Sequence, residues 1–175
     1  MGSVSRPQPF KLIVGLISAK EGHLTKARDI LSGKFGKIDF ESGTLQFNHT
    51  DYYESEFGKD LKRKFLSFAK LIPPQQLWGI KIYTNKVEQK LAHNRRRQVN
   101  IDPGYIDASK LVLLSTKDFI HRIHLGGGIF AEVTLFFKDK TFNPWPWTYP
   151  DYRTTQYLGI FNNIRDIYLK QIKEL

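Results

Sequence analysis

The chain has 175 residues, of which 41% are hydrophobic and 25% charged; this suits one ordinary globular domain and excludes an intrinsically disordered chain. It contains no cysteine, which excludes a disulfide scaffold, a thiolate metal site and a cysteine nucleophile. The net charge of +10 is uneven, because residues 59–97 hold eleven basic and two acidic residues (+9), whereas residues 38–58 hold five acidic residues and no Lys or Arg (−5). Such a basic stretch suits a polyanion or a phosphorylated ligand, and it equally suits a solvated helix face.

No signal peptide is expected at the start of the sequence. Residues 1–9 contain one arginine and no hydrophobic stretch, so we expect a flexible N-terminus followed by a single domain over residues 10–175. No apolar run reaches the length of a transmembrane helix, so no membrane contact is expected. Together with the absence of cysteine, these features favour a cytoplasmic protein.

Strands and helices alternate in the first half. The apolar run at residues 10–18 predicts a central strand, and Ser18 and Glu21 have the spacing of a capping box before a helix over 20–33. Further strands are predicted at 37–40, 44–49 and 64–71. A second helix ends near 92–94, with Lys81 and Glu88 away from its apolar face; that face consists of Leu77, Ile80, Thr84, Val87 and Leu91.

The second half reads as hairpins followed by a helix. Residues 99–101 predict a short strand, 102–104 (Asp-Pro-Gly) a turn, and 110–116, 119–125 and 129–137 the strands of a meander. The prolines of residues 142–152 exclude a regular element, and Thr154 or Thr155 caps the last helix. The predicted fold is α+β: a mixed, mostly antiparallel sheet with ferredoxin-like βαβ elements over 10–40 and 64–101, a C-terminal β-meander and a C-terminal helix.

The register of the last hairpin decides which polar residues meet. A three-residue loop over 126–128 places Leu125 opposite Ile129 and puts Arg122 opposite Glu132 on the same face of the sheet. A two-residue loop would instead bring His121 beside Glu132. We favour the first register because it keeps the apolar residues together. In that register Arg122 and Glu132 form either a cross-strand ion pair or part of a ligand site.

Familiar catalytic motifs are absent. The sequence lacks a phosphate loop, a dinucleotide fingerprint, a nucleophile elbow and a zinc-binding H-E-x-x-H, and its histidines lack the paired H-x-[ST] pattern of the two-histidine phosphoesterases. We therefore predict no metal site. The alternative is a hard divalent ion held by carboxylate oxygens, with these candidate ligands: Asp39, Glu41, Asp51, Glu54 and Asp102.

Polar and aromatic residues at strand ends form the candidate site. Asn, Asp, Lys and Tyr side chains at strand ends commonly build ligand pockets, and exposed Trp and Tyr side chains can stack on a base or a sugar. The alternatives are a stabilising turn at residues 100–105 and a hydrophobic cover at residues 145–152. The candidate ligand-binding residues are Asn100, Asp102, Tyr105, Lys110, Lys117, His121, Arg122, Glu132, Trp147, Tyr149, Asp151 and Tyr152.

Several of these stretches resemble an uncharacterised family of single-domain proteins, a domain of unknown function. The resemblance rests on N-x-D-P-G-Y (residues 100–105), K-D-x-x-H-R-I (117–123) with G-I-F-A-E-V-T (128–134), and W-T-Y-P-D-Y (147–152). An earlier pattern, T-D-Y-Y (50–53) followed by Gly58 and residues 62–68, also belongs to it. The resemblance covers nearly the whole chain and implies one compact domain, without implying a reaction, cofactor or partner.

The sequence favours a domain that binds a phosphorylated small molecule or a nucleotide. Arg122, Lys110 and Lys117 would contact the anion, and Asp102 and Glu132 would orient the ligand or act as general base if a reaction occurs. The alternative is an RNA-binding or protein-interaction module that uses the basic segment 59–97. RNA binding predicts that residues 62–64 and 95–97 share one surface. Neither the oligomeric state nor the existence of an enzymatic activity follows from these patterns.

Overall fold

The structure, a computed structural model, describes residues 2–5, 7–48 and 54–175. In this described part of the chain, nine strands form one antiparallel sheet. The strands are β1 (Lys11–Ser18), β2 (Ile38–Glu41), β3 (Leu45–Gln46), β4 (Lys62–Phe68), β5 (Asn100–Ile106), β6 (Lys110–Ser115), β7 (Arg122–Gly126), β8 (Ile129–Lys138) and β9 (Thr141–Pro144). The helices are α1 (Glu21–Phe35), the one-turn α2 (Glu54–Phe57), α3 (Leu77–Leu91) and α4 (Thr155–Lys173), with short 3-10 turns at Pro74–Gln76 and Asp151–Arg153.

The strand order confirms the α+β class with ferredoxin-like elements. The sheet runs β2-β4-β1-β5-β6-β8-β7, with β3 beside β4 and β9 beside β8. In its first half, β4 lies between β1 and β2, and β1 lies between β4 and β5, so each βαβ unit is split by an antiparallel strand. The remaining strands extend this sheet in antiparallel fashion, and α4 closes the chain. They differ from a simple meander, because β8 lies between β6 and β7 and β6 pairs with β8.

Helices cover both faces of the sheet. On the first face, α1 and α3 pack against alternate residues of the central strand, Leu12, Val14 and Leu16. On the second face, which we call the α4 face, Ile13 packs with Tyr157 and other residues of α4. Because successive strand residues point to opposite faces, the central strand is buried along its whole length, as its apolar run predicts.

The start of α1 differs from the predicted capping box. The helix begins at Glu21 after Lys20, which makes no side-chain cap. The Ser18 hydroxyl instead donates to the carbonyl of Gln98 (2.7 Å) and accepts from the backbone N–H of Lys20 (3.2 Å). The prediction was wrong because this hydroxyl belongs to the end of β1, where it ties that strand to the chain leading into β5.

The largest difference concerns residues 99–104. A short strand followed by an Asp-Pro-Gly turn is wrong, because residues 100–106 form the continuous strand β5. Pairing with β1 aligns Asp102 with Gly15, Pro103 with Val14 and Gly104 with Ile13. This long-range pairing overrides the local turn preference of Asp-Pro-Gly. A shorter error lies at residues 141–144, which pair with β8 as β9 despite Pro144.

The last hairpin confirms one half of the predicted register and corrects the other. Arg122 lies opposite Glu132 and Ile123 opposite Ala131, as predicted, but Gly126 rather than Leu125 pairs with Ile129. Leu125 is an extra residue at a bulge, and the strand begins only at Arg122. Gly126, Gly127 and Gly128 have φ values of 112°, 58° and 73°, which favour glycine. The T-D-Y-Y pattern, the candidate ligand Asp51 and the end of the strand predicted over 44–49 lie outside the described residues.

Candidate functional site

The site lies where β5 and β6 separate. Pairing between these strands covers only residues 104–106 of β5, so residues 100–103 have no partner on β6. Gly104 marks the point of closest approach, because a Cβ there would lie 2.3 Å from the carbonyl oxygen of Val112. Pro103 precedes Gly104 and is the first residue without a partner on β6; it has no N–H to donate to a neighbouring strand. The Pro-Gly pair thus suits the place where the sheet opens.

Two charged side chains of α3 fill this opening. The backbone N–H of Ile101 donates to Glu88 Oε1 (2.6 Å), and Lys81 Nζ donates to the Ile101 carbonyl (3.2 Å). Both side chains are buried, although the sequence places them away from the apolar face of the helix. They are buried although they lie off the apolar stripe, because the free edge of β5 needs hydrogen-bonding partners inside the core. Burial raises the pKa of the Glu88 carboxyl, while Ile101, Lys81 and Arg97 act in the opposite direction.

A buried arginine occupies the α4 face beside the opening. Arg63 is 3% exposed, and its guanidinium lies over Gly15, where a Cβ would come within 2.8 Å of Nη1. Nη2 donates to Asp151 (2.9 Å), and Nη1 lies 3.7 Å from an Asp102 carboxylate oxygen. Nε and Nη1 have no hydrogen-bond partner in the described residues. The rings of Phe47, Phe65 and Tyr152 lie 4.9–5.7 Å from the guanidinium carbon and help to stabilise the buried cation.

The hairpin supplies a second polar cluster on the same face. Glu132 is 2% exposed, and its Oε2 accepts from Arg122 Nε (2.9 Å) and lies 3.1 Å from His121 Nε2. One predicted register placed Arg122 beside Glu132, and the other placed His121 there. Both side chains contact this carboxylate in the structure, because His121 lies in the turn before β7 and is not bound by strand alternation. Arg122 also donates to the Lys117 carbonyl (3.0 Å) and to the Tyr149 hydroxyl (2.8 Å).

Residues 145–152, which we call the aromatic segment, connect the two clusters. The segment is attached to β8 between β7 and β9: Trp147 Nε1 donates to the Val133 carbonyl (3.1 Å), and Thr148 Oγ1 donates to the Thr134 carbonyl (2.5 Å). The Trp147 ring stacks on His121 at 5.2 Å. Burial and the charges of Glu132 and Asp102 raise the pKa of Tyr149, whereas Arg122 acts in the opposite direction. The segment reaches the other cluster through Asp151, which accepts a hydrogen bond from Arg63 (2.9 Å).

Most of the predicted site residues meet around this segment. On the α4 face lie Asn100, Asp102, Lys117, His121, Arg122, Glu132, Trp147, Tyr149, Asp151 and Tyr152. Two others lie elsewhere. Tyr105 points to the opposite face, where its ring stacks on Phe10 at 4.1 Å. Lys110 lies at the far end of β6 from Ser115 and pairs with Asp107 (2.6 Å).

The sequence did not identify Arg63, Lys81 and Glu88 as members of the site. One signal for Arg63 is Gly15, since a glycine within an otherwise bulky strand often marks the close approach of another group. No comparable signal exists for Lys81 and Glu88, whose burial depends on the opening between β5 and β6.

The candidate oxygen ligands for a metal do not assemble among the described residues. No group of three or more His, Asp or Glu residues in that part of the chain could hold an ion. Asp39 pairs with Lys11, and Glu41 pairs with Arg28 and Lys64. Asp102 lies apart from both, beside Arg63. The side chain of Glu54 and the whole of Asp51 lie outside the description.

The charges of the basic segment are divided between several surroundings. Lys64 pairs with Glu21 and Glu41, whereas the neighbouring Arg63 is buried on the opposite face. Arg97 pairs with Glu56 and Glu88, and its pKa is raised by these partners, chiefly by the hydrogen bond to Glu56. Residues 62–64 therefore do not form a single exposed cationic surface.

A family model described as a domain of unknown function (DUF4416) matches residues 8–168. No curated protein and no solved structure matches the chain. None of the helices in the described ranges is long and apolar enough to cross a membrane.

Proposed function

The chain belongs to this family of unknown function, and we propose that it binds a phosphorylated small molecule of nucleotide size on the α4 face, between Arg63 and the hairpin cluster. The observation that supports this proposal is the Arg63 guanidinium: its Nε and Nη1 lack a hydrogen-bond partner among the described residues, and the ion pair of Nη1 with Asp102 is long, at 3.7 Å. Buried donors are nearly always satisfied, and guanidinium groups match phosphate oxygens well. A phosphate oxygen would supply the missing acceptor.

The charge balance of the site permits an anion. Arg63, Lys81 and Arg122 each lie near a carboxylate, those of Asp151, Asp102 and Glu132, and the buried Glu88 pairs in turn with Arg97. The carboxylates of the site are therefore compensated by neighbouring cations, and the overall charge of +10 attracts an anion. Among the described residues, Arg122 Nη2 donates to the neutral Tyr149 hydroxyl, and a phosphate oxygen would be a stronger acceptor there.

The aromatic segment would recognise the remainder of the ligand. Trp147 and Tyr149 are both partly exposed, and their rings lie beside Arg122 and His121. Stacking of a base or sugar on such rings is typical of nucleotide sites. Asp102 and Glu132 are the groups that would orient the ligand, or act as general base if a reaction occurs. The absence of cysteine suits the cytoplasmic location that we propose.

RNA binding through residues 59–97 is less well supported than ligand binding. Arg63 is buried, and Arg97 and Lys64 are each paired with two carboxylates. Fewer cations remain free to neutralise phosphates than the sequence suggests. RNA binding would show itself by an affinity that falls steeply with salt concentration.

Thermal unfolding with nucleotides, sugar phosphates, short RNA and matched unphosphorylated nucleosides tests the proposal. A ligand at 100 times its Kd stabilises the folded state by about 2.7 kcal/mol, which corresponds to a rise in Tm of roughly 5–10 °C for a domain of this size. Arg122→Gln should abolish the rise. Arg28→Gln, which removes a half-exposed cation paired with Glu41 on β2, should leave the rise unchanged.

Three results would refute the proposal. They are the absence of a shift with every phosphorylated compound, equal shifts with the unphosphorylated nucleosides, and an undiminished shift in the Arg122→Gln variant. A shift produced by RNA alone, lost at high salt, would favour the alternative.

A further inference from the structure

The exposed large apolar side chains gather in one place. Eight such side chains occur in the described ranges, and two of them, Val4 and Leu175, lie near the chain ends. The other six are Trp78, Phe119, Ile120, Ile123, Trp147 and Tyr149. A contiguous exposed apolar patch usually marks an interaction surface, whereas scattered single residues do not.

All six surround the strand β7. Ile123 belongs to the strand and is 70% exposed, and Ile120, in the turn before it, is 94% exposed. Phe119 and Trp147 both contact the His121 ring, and Tyr149 accepts a hydrogen bond from Arg122. At the other end of the strand, the Trp78 ring lies against Gly127 of the hairpin turn.

β7 is also the last strand on its side of the sheet. No strand in the described part of the chain pairs with its outer edge. Edge strands are normally protected by proline, by lysine, by a bulge or by a covering segment. The five residues of β7 include neither proline nor lysine, and the bulge at Leu125 lies only at the end of the strand next to the turn. Its one charged side chain, Arg122, turns inward to Glu132. The edge therefore combines free backbone groups with apolar side chains on both sides.

We propose that this edge pairs with the same edge of a second copy of the chain, antiparallel about a twofold axis near His124. The two ends of the patch are complementary in this arrangement, because a twofold axis brings Phe119 and Ile120 of one protomer beside Trp78 of its partner. It also places Arg122 opposite Gly126 of the other copy, so the two arginines stay apart. The sheet then continues from one protomer into the next.

The exposed area is sufficient for such a dimer. Four of these residues, Trp78, Phe119, Ile120 and Ile123, lie outside the proposed ligand site, and at about 150–250 Å² for a large side chain their exposed fractions leave roughly 500 Å² per protomer. Modest interfaces bury up to about 600 Å² on each partner, and the backbone of the added strand adds to the apolar area. This agreement favours a second copy over a short peptide, which would cover only part of the patch.

The test is the oligomeric state of the full chain. Sedimentation and light scattering from about 1 to about 100 µM, the range in which modest interfaces assemble, should give twice the monomer mass of 20.4 kDa. Ile123→Lys should give a folded monomer, because a lysine on the edge opposes strand pairing. Leu175→Lys, a matched change at an exposed leucine outside the patch, should remain dimeric. Circular dichroism of both variants checks that they fold.

The absence of native cysteine allows a second, geometric measurement. A single cysteine introduced as His124→Cys lies at the twofold axis and should give a disulfide-linked dimer under mild oxidation. Lys138→Cys, on an exposed residue at the end of β8, should not. The proposal is overturned by a monomeric native chain, including one that binds a peptide or another protein at this edge. A dimer that survives Ile123→Lys, or that fails to cross-link through position 124, overturns it equally.

Discussion

Removal of the Glu88 carboxylate is expected to destabilise the domain strongly, because this charged residue of α3 is buried. Glu88 accepts from the backbone N–H of Ile101 (2.6 Å) and from Arg97 (3.2 Å). Together with Lys81 it replaces the hydrogen bonds that β6 would make to β5. Glu88→Ala would leave the amide of Ile101 buried without an acceptor. It would also remove one of the carboxylates near the buried Lys81, which would keep Asp102 at 3.8 Å.

The magnitude follows from these two losses. An unsatisfied buried N–H costs about 1–3 kcal/mol, and removing one partner of a buried charge cluster costs about 3–5 kcal/mol. The two contributions overlap, so we expect Glu88→Ala to lower the free energy of unfolding by roughly 3–5 kcal/mol, or Tm by about 10 °C. Glu88→Gln keeps an oxygen for the amide and should cost only about 1–2 kcal/mol.

Urea unfolding at pH 7, followed by circular dichroism and tryptophan fluorescence, measures both variants. Lys86→Ala, a change on the exposed side of the same helix, is the control and should stay within about 0.5 kcal/mol of the native chain. A cost below about 1 kcal/mol for Glu88→Ala would show that the side chains of α3 do not stand in for the hydrogen bonds of β6 at residues 100–103 of β5.

Three further predictions concern other parts of the fold. Gly104→Ala should lower the free energy of unfolding by about 1–3 kcal/mol or more, since its Cβ would lie 2.3 Å from a backbone oxygen of β6. Gly159→Ala, in open space within α4, should instead raise it by about 0.5–1 kcal/mol. Chemical unfolding of the two variants measures both changes and their opposite signs. Burial raises the pKa of Tyr105 from 10.0 to about 12, so the neutral phenol contributes its full stabilisation below pH 10, and this stabilisation is lost as the pH rises from 10 to 12. Tyr105→Phe has no ionisable group, so its alkaline unfolding curve should lack this loss of stability. Thr154→Ala deletes the side-chain cap of α4 and should lower stability by about 1 kcal/mol in thermal unfolding; an unchanged Tm would show that the cap contributes nothing.

Local patterns predict those elements whose partners lie within the same stretch of chain. The apolar run of β1 and the periodic stripe of α3 correspond to elements at nearly the predicted positions. The Thr154 cap of α4 is also confirmed, because its hydroxyl accepts from the backbone N–H of Tyr157. Residues 99–104 were predicted incorrectly because Asp-Pro-Gly favours a turn locally, whereas pairing with β1 holds it extended.

The candidate site likewise combines one contact that local patterns predict with others that depend on the tertiary structure. The opposition of Arg122 and Glu132 follows from strand alternation alone and is confirmed. The contact of His121 with that same carboxylate requires the chain to leave the strand before Arg122, which no alternation predicts. Arg63 is charged and lies in a basic stretch, so its burial depends on Gly15 and on two aspartates that are distant in the sequence.

The amino-acid sequence alone determined the fold class, the main helices and central strand, and the pairing of two oppositely charged residues across a hairpin. These features depend on periodicity and on interactions between near neighbours in the chain. The tertiary structure decided where the sheet opens, which charges enter its core and which apolar side chains remain outside. Those outcomes depend on contacts between segments far apart in the chain, where the need to satisfy buried polar groups outweighs local preference.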